Sequence, residues 1–286
     1  MNRFTVRLLE EGDLDFAYQM TAIEGWNERR EDVKRMLDYE PEGCFVAEID
    51  KRPAGHAFSV NYGKLGWIGY VIVKAEYRWK GIGTALTAQA KDYLLNRGVE
   101  IVKLEAVPMI SNLYRKLGFI DEYDSLRFRG IRGKISPSEN CSMTLIEKGM
   151  IADIAEFDAI YFGAKRTRVL DALYRENPDL SFLCHNESGV IGYIMCRKAE
   201  EGYKLGPWVC KSEEPEVAKE LFAACLNRIT PKTNIYVGVP AVNTLATGIL
   251  QEFGFELYSK SIRMRFGKKL GERVNGVLAI GGPMKG

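Results

Sequence analysis

The chain alternates short apolar, β-branched runs with longer stretches in which apolar residues return every three or four positions, the spacings of strand and helix. Thr5 to Glu10 reads as a first strand, and Asp13 is placed to cap a helix in which Leu14, Ala17, Tyr18 and Thr21 share a face. The pattern breaks at Gly25-Trp26-Asn27. Asn27, followed by Glu28, Glu31 and Asp32, reads as the capped, acid-biased start of a second helix running to about Asp38. Cys44 to Ile49 and Ala54 to Val60 are expected strands joined by a turn at Asp50-Lys51-Arg52-Pro53. Residues 66 to 98 carry the strongest pattern: an apolar run, Ile68 to Val73, then Arg78-Trp79-Lys80-Gly81-Ile82-Gly83, then a helix with Leu86, Ala90 and Leu94 on one face, closed by Gly98. Val99 to Ala106 reads as a further strand, a short helix surrounds Tyr114, and a last strand ends near Phe128. The first half is thus β-α-α-β-β-β-α-β-α-β.

The second half repeats it. Gly12, Gly55 and Gly69 recur as Gly149, Gly192 and Gly206 at an offset of 137, and Gly118-Phe119 and Arg127 recur as Gly254-Phe255 and Arg263 at 136. The drift of one residue reads as a single deletion. The stretch 130 to 141, with Gly130, Gly133, Pro137 and Ser138, is the expected linker. The domains are therefore placed at 1–130 and 143–286, joined by 131–142.

Composition narrows the function. The 286 residues are 46% apolar and 27% charged, with 40 basic and 38 acidic side chains giving a net charge of +2. No block of one sign exists, so neither nucleic acid nor an anionic membrane is an expected partner. The six cysteines (44, 141, 184, 196, 210 and 225) and the two histidines, His56 and His185, lack metal-ligand spacing, so no metal site is expected. Reduced thiols, an acidic N-terminal region with no signal-peptide core, and the lack of an 18-residue apolar run lead to an expected cytoplasmic location.

The chemistry concentrates at the glycine turn. Gly81 and Gly83 lack a Cβ, so backbone N–H groups there can close on an anion at the positive end of a helix, and a pyrophosphate is the natural guest. The same glycines also serve plain strand-to-helix packing. Neither the G-x-x-x-x-G-K-[ST] loop nor the G-x-G-x-x-G fingerprint with its downstream acid is present. Transferred by 137, Arg78, Gly81 and Gly83 fall on Pro215, Ala218 and Glu220, among the carboxylates of residues 213, 214, 216 and 220. Each close like-charge pair there would cost about 4 kcal/mol at an effective dielectric near 20. The first repeat is therefore expected to bind the anion and the second is not.

The sequence Arg78-x-x-Gly81-x-Gly83, followed by Ser111-Asn112-Leu113-Tyr114-Arg115-Lys116-Leu117-Gly118-Phe119, resembles the GNAT N-acetyltransferase superfamily. Gly25-Trp26-Asn27 and Trp67-Ile68-Gly69 are similar to the N-terminal domain of its two-domain members. Asp158, Phe162-Gly163-Ala164, Arg166, Gly206-Pro207-Trp208, Val239-Pro240, Asn243 and Gly254-Phe255 are similar to their YitH/HolE-type C-terminal domain, with Lys165 standing where an acidic residue is expected. The resemblance implies tandem α/β (α+β) folds, each a mixed, mostly antiparallel sheet flanked by helices, with splayed fourth and fifth strands. It further implies acetyl transfer from acetyl-CoA (coenzyme A) to the amine of a small molecule or amino-acid-like acceptor, in a monomer or homodimer. Mapped on this chain, Val71, Ile72 and Val73 would hold pantetheine. Arg78, Trp79, Lys80, Gly81, Ile82, Gly83 and Thr84 would hold the pyrophosphate side, Asn112 would contact pantetheine, and Tyr114 would protonate the leaving thiolate. Trp26 and Asn27 would face the acceptor. Tyr114 reads equally as a core aromatic, Asn112 and Asn27 as helix caps, and Trp26 as a packed indole. Glu105 and Glu24 are the candidate bases for the amine proton; either reads as well as a structural carboxylate. An acyl-CoA-binding sensor or scaffold and a protein N-acetyltransferase are the alternatives.

Overall fold

The computed structural model describes residues 4–131, 143–269 and 271–286, so the linker expected at 131–142 lies, except for Ile131, outside the described residues. In the first repeat the elements are β1 (Phe4–Leu8), α1 (Leu14–Ile23), α2 (Arg30–Tyr39), β2 (Phe45–Ile49), β3 (Arg52–Asn61), β4 (Leu65–Val73), α3 (Ile82–Asn96), β5 (Ile101–Ala106), α4 (Ser111–Lys116) and β6 (Ile120–Ile131). The second repeat runs β7 (Met143–Leu145), α5 (Ile151–Phe162), α6 (Thr167–Glu176), β8 (Ser181–Asn186), β9 (Gly189–Lys198), β10 (Tyr203–Cys210), α7 (Pro215–Arg228), β11 (Asn234–Pro240), α8 (Thr244–Glu252) and β12 (Glu256–Gly267). A short β13 (Val277–Ala279) follows.

These elements form two compact units. The first holds the chain to Glu122 together with Ile262–Lys269 and Pro283–Lys285; the second holds Tyr123–Ser261, 271–282 and Gly286. Each unit thereby takes its last strand from the other repeat. In the first, β12 lies antiparallel to β5, from Ile262 opposite Ala106 to Gly267 opposite Ile101. In the second, β6 lies antiparallel to β11, from Ser125 opposite Pro240 to Ile131 opposite Asn234.

In the first unit β1, β2, β3 and β4 pair antiparallel in that order, and β4 pairs parallel with β5. Packed on one face is α3, whose Leu86, Ala90 and Leu94 have no exposed surface and join Ala57, Ile68, Val102 and Leu104 in one core. Burying each such leucine contributes about 2–3 kcal/mol. Gly81, in the left-handed conformation at φ 84°, starts this helix, and Gly98 at φ 80° ends it with its N–H on the Leu95 carbonyl at 3.0 Å. The opposite face carries α1 and α2. The second helix is not capped by Asn27: that residue takes a left-handed φ of 53°, and the turn is instead closed by Asp32 Oδ2, which accepts from the Arg29 N–H at 2.9 Å.

The second unit repeats this plan, and its elements locate the drift between the repeats. The connection from β4 to α3 has eight residues, 74–81, whereas that from β10 to α7 has four, 211–214. The drift is therefore not one deletion but a four-residue loss at the glycine turn, offset by three residues gained further on. Pro215 consequently stands opposite Ile82, with Glu214 and Glu216 opposite Gly81 and Gly83. Proline has no N–H to offer at the first helical position, so fewer amides are open at this helix start than at that of α3, and Glu214 and Glu216 flank them. Among the described residues, no helix is long and apolar enough to cross a membrane.

Candidate active site

The register of β4 explains where a ligand can lie. Its parallel pairing with β5 covers Leu65 to Ile68, opposite Ile101 to Leu104, and stops there, although β4 continues to Val73. Against β3 the strand is irregular between His56 and Phe58, where Tyr70 adopts φ 49°. This bulge turns β4 away from β5. Beyond it, the Lys74 N–H bonds the Ala54 carbonyl at 2.8 Å. Strand amides alternate between edges, so Val73 and Val71 aim their N–H groups at the widening gap. The side chain of Ile72 is buried, which leaves that residue only its backbone to offer.

The gap runs to the N-terminus of α3. Ala85 is the first residue to bond within the helix, to the Gly81 carbonyl at 3.0 Å, so the preceding amides point out along the helix axis. A Cβ on Gly83 would stand 3.5 Å from Leu113 Cδ1 and 3.7 Å from Val73 Cγ2, ordinary contacts. Packing therefore does not demand glycine at 83, and the missing side chain leaves open the space over the amides. Arg78 donates from Nε to the Val73 carbonyl at 3.0 Å and pairs with Glu24 at the end of α1. Lys80 bonds the Glu76 carbonyl at 2.9 Å. Trp79 is 86% exposed at φ 64°, and Thr84 is exposed beside it.

Tyr114 is buried in the α3 core, edge-on to Phe119 with ring centroids 6.2 Å apart. Burial pushes its phenol up from the usual 10, so the hydroxyl keeps its proton through the neutral range. Asn112 is an exposed residue of α4 rather than its cap; its Oδ1 accepts from Arg115 at 2.7 Å.

The face of the first unit opposite α3 is aromatic. Trp26 stacks on Tyr70 at 6.1 Å, with Asn27 half-buried beside it, and Phe58 meets Tyr70 edge-on at 5.4 Å. Backbone from the end of the chain closes this face: the Trp67 indole donates to the Pro283 carbonyl at 3.0 Å, and Tyr62 to that of Lys285 at 2.9 Å.

Charge enters the face through β5 and β12. Glu105, its side chain 1% exposed, accepts from Arg263 at 2.8 Å, and the same guanidinium lies 4.5 Å from the Trp67 ring centroid. Beside it Lys103, fully buried, meets Glu122 at 3.0 Å. The two carboxylates expected as bases are thus each engaged with a guanidinium, Glu105 with Arg263 and Glu24 with Arg78. Replacing Arg263 by alanine strands Glu105 without this partner and is expected to cost about 3–5 kcal/mol, read by urea unfolding. Tyr70 and Arg263 were not legible as site residues: nothing in the sequence marks a bulge, and Arg263 stood out only as the repeat of Arg127.

His56 is wholly buried between Phe16 and Phe58, and its ring nitrogens face the backbone of Tyr70 and Ala17 without a well-formed hydrogen bond. Burial lowers its pKa to about 4. The unfolded chain, with an ordinary value near 6.5, binds the proton first as pH falls. Stability present above about pH 6.5 is therefore lost progressively down to about pH 4, by roughly 3 kcal/mol in all. A His56→Phe variant should show a flatter acid limb in unfolding measurements across that window.

The comparisons with known proteins agree with this geometry. Residues 12–119 match the acetyltransferase (GNAT) family model and residues 154–279 match an acetyltransferase (GNAT) domain model. The holothin acyltransferase of Pseudoalteromonas sp. (strain SANK 73390) is 26% identical over 252 residues, covering 88% of this chain and 84% of that protein. A crystal structure of a Pyrococcus horikoshii protein assigned as an acetyltransferase superposes with a TM-score of 0.84 at 25% identity, covering 100% of this chain and 97% of that one. A tandem GNAT protein from the clavulanic acid biosynthesis pathway shares the fold at a TM-score of 0.65 and 13% identity, over 92% of this chain and 98% of that one. With both repeats matched and the splayed cleft in place, the chain belongs to the GNAT acetyltransferases, as an enzyme built of two GNAT domains in tandem.

Proposed function

We propose that the first unit transfers an acetyl group from acetyl-CoA directly to a primary amine of a small-molecule or amino-acid-like acceptor. The observation that carries this reading is the divergence of β4 from β5 beside a helix N-terminus whose glycines leave the amides open. The fold family generally uses acetyl-CoA, and the cleft fits it: an extended arm can bond the Val71 and Val73 amides while a pyrophosphate meets residues 78–84. When bound, acetyl-CoA supplies the acetyl group as an activated thioester.

The chain's own residues supply the rest. The Val71 N–H, fixed by the bulge, donates to the oxygen that gains charge as the amine attacks. Tyr114, kept protonated through the neutral range by its burial, gives its phenolic proton to the departing sulfur. The stacked Trp26 and Tyr70 give the acceptor an apolar wall. Glu105 and Glu24 are both engaged by guanidinium partners, so neither serves as base and the amine proton passes to water.

Calorimetric titration of the whole chain with acetyl-CoA tests the cofactor. One equivalent supports a single site in the first unit. No binding removes the proposal, and two equivalents remove the inactivity of the second copy. Thiol release with a panel of primary amines then tests the acceptor class, with a peptide amine as the contrasting probe.

A further inference from the structure

In the second unit the counterpart of the cofactor cleft is filled by the chain itself. Like β4, β10 pairs parallel with its neighbour for a short stretch only, Tyr203 to Leu205 opposite Ile235 to Val237 on β11. Where the strands part, β13 enters: Trp208 lies opposite Ala279 and Val209 opposite Val277, antiparallel. On the far side the Ile280 N–H bonds the Gly238 carbonyl of β11 at 2.9 Å. The segment is therefore hydrogen-bonded to both diverging strands.

Two further features are shaped to it. Asn243, the cap of α8, accepts from the Ala246 N–H at 3.0 Å and donates Nδ2 to the carbonyls of Asn275 at 2.9 Å and Val277 at 2.8 Å. A Cβ on Gly206 would stand 2.1 Å from the Ile280 oxygen, so only glycine lets the segment pass. Leu278 and Ala279 are buried in the core of the unit with Trp208.

We infer that the second copy's cleft is a strand-binding site whose resident ligand is Val277–Ala279, a peptide in the position that the first cleft, on the function proposed above, gives to pantetheine. Both ligands are extended and carry amides able to bond a strand edge. The loss of cofactor binding in the second copy then has two layers: the glycine turn is gone, and the cleft beyond it is occupied.

Amide hydrogen exchange on the full chain, with and without saturating acetyl-CoA, tests this. The amides of residues 277–280 are expected in the slow class and unchanged by acetyl-CoA, while Val71 and Val73 gain protection. Asn243→Ala should speed exchange at 275–280 at least tenfold and leave acetyl-CoA affinity within twofold. Exchange of 277–280 near the rate of an unstructured peptide would overturn the inference, as would their deprotection on binding of a second acetyl-CoA equivalent. Slow exchange there without any protection at Val71 and Val73 would instead remove the cofactor reading of the first cleft, leaving the strand site standing. The measurements on the unaltered chain decide even where the variant does not fold.

Discussion

Replacing Gly83 by glutamate should abolish acetyl-CoA binding while leaving the first unit folded. The backbone at 83 is helical, the added Cβ makes only van der Waals contacts, and a carboxylate in the first turn suits the helix dipole. What changes is the anion site, where the new charge opposes the pyrophosphate at close range. At an effective dielectric near 20 one such pair costs about 4 kcal/mol, roughly a thousandfold in affinity. Gly83→Ala, which adds bulk without charge, separates crowding from repulsion and should lose far less. Calorimetry reads both variants, and circular dichroism confirms the fold. Binding retained in the glutamate variant would take the pyrophosphate away from this turn.

Tyr114→Phe should lower kcat by about 10²-fold or more, within the usual range for losing a general acid. The acetyl-CoA affinity should hardly move. The phenyl ring keeps its place against Phe119 in the core, so only the proton donor is lost. Because burial holds the phenol above its ordinary value, the unaltered enzyme should show no falling alkaline limb from this group up to about pH 10. Thiol release followed across pH for both proteins is the measurement. An unchanged kcat in the phenylalanine variant would leave Tyr114 as a core aromatic.

Much of this was legible because local physics fixed it. The helix phases, the glycine turn and the repeat depend on spacing within one element or on residues with a single conformational use. Gly81 is an example: its left-handed start to α3 follows from the lack of a Cβ. What escaped the sequence depends on partners far along the chain. Glu105 alternates on β5 like any strand residue, and only the pairing with β12 gives it Arg263. The four-residue loss between β10 and α7 was invisible because matching glycines flank the turn without marking it. Tyr70 has no feature that announces a positive φ, or the bulge against β3 that goes with it.

The exchange of β6 and β12 between the repeats also sets a clock on synthesis. Ile101 pairs with Gly267, 166 positions later in the chain. At roughly 5–20 residues per second, β5 waits about 10–30 s on the ribosome with one edge unpaired. An open strand edge is a template for aggregation, so nascent chains in that interval are the population most exposed to misassembly. Inheritance is bound by the same arrangement. Recombination at the linker would pass on two sheets that each lack a strand, so the two halves of the coding sequence are expected to travel together.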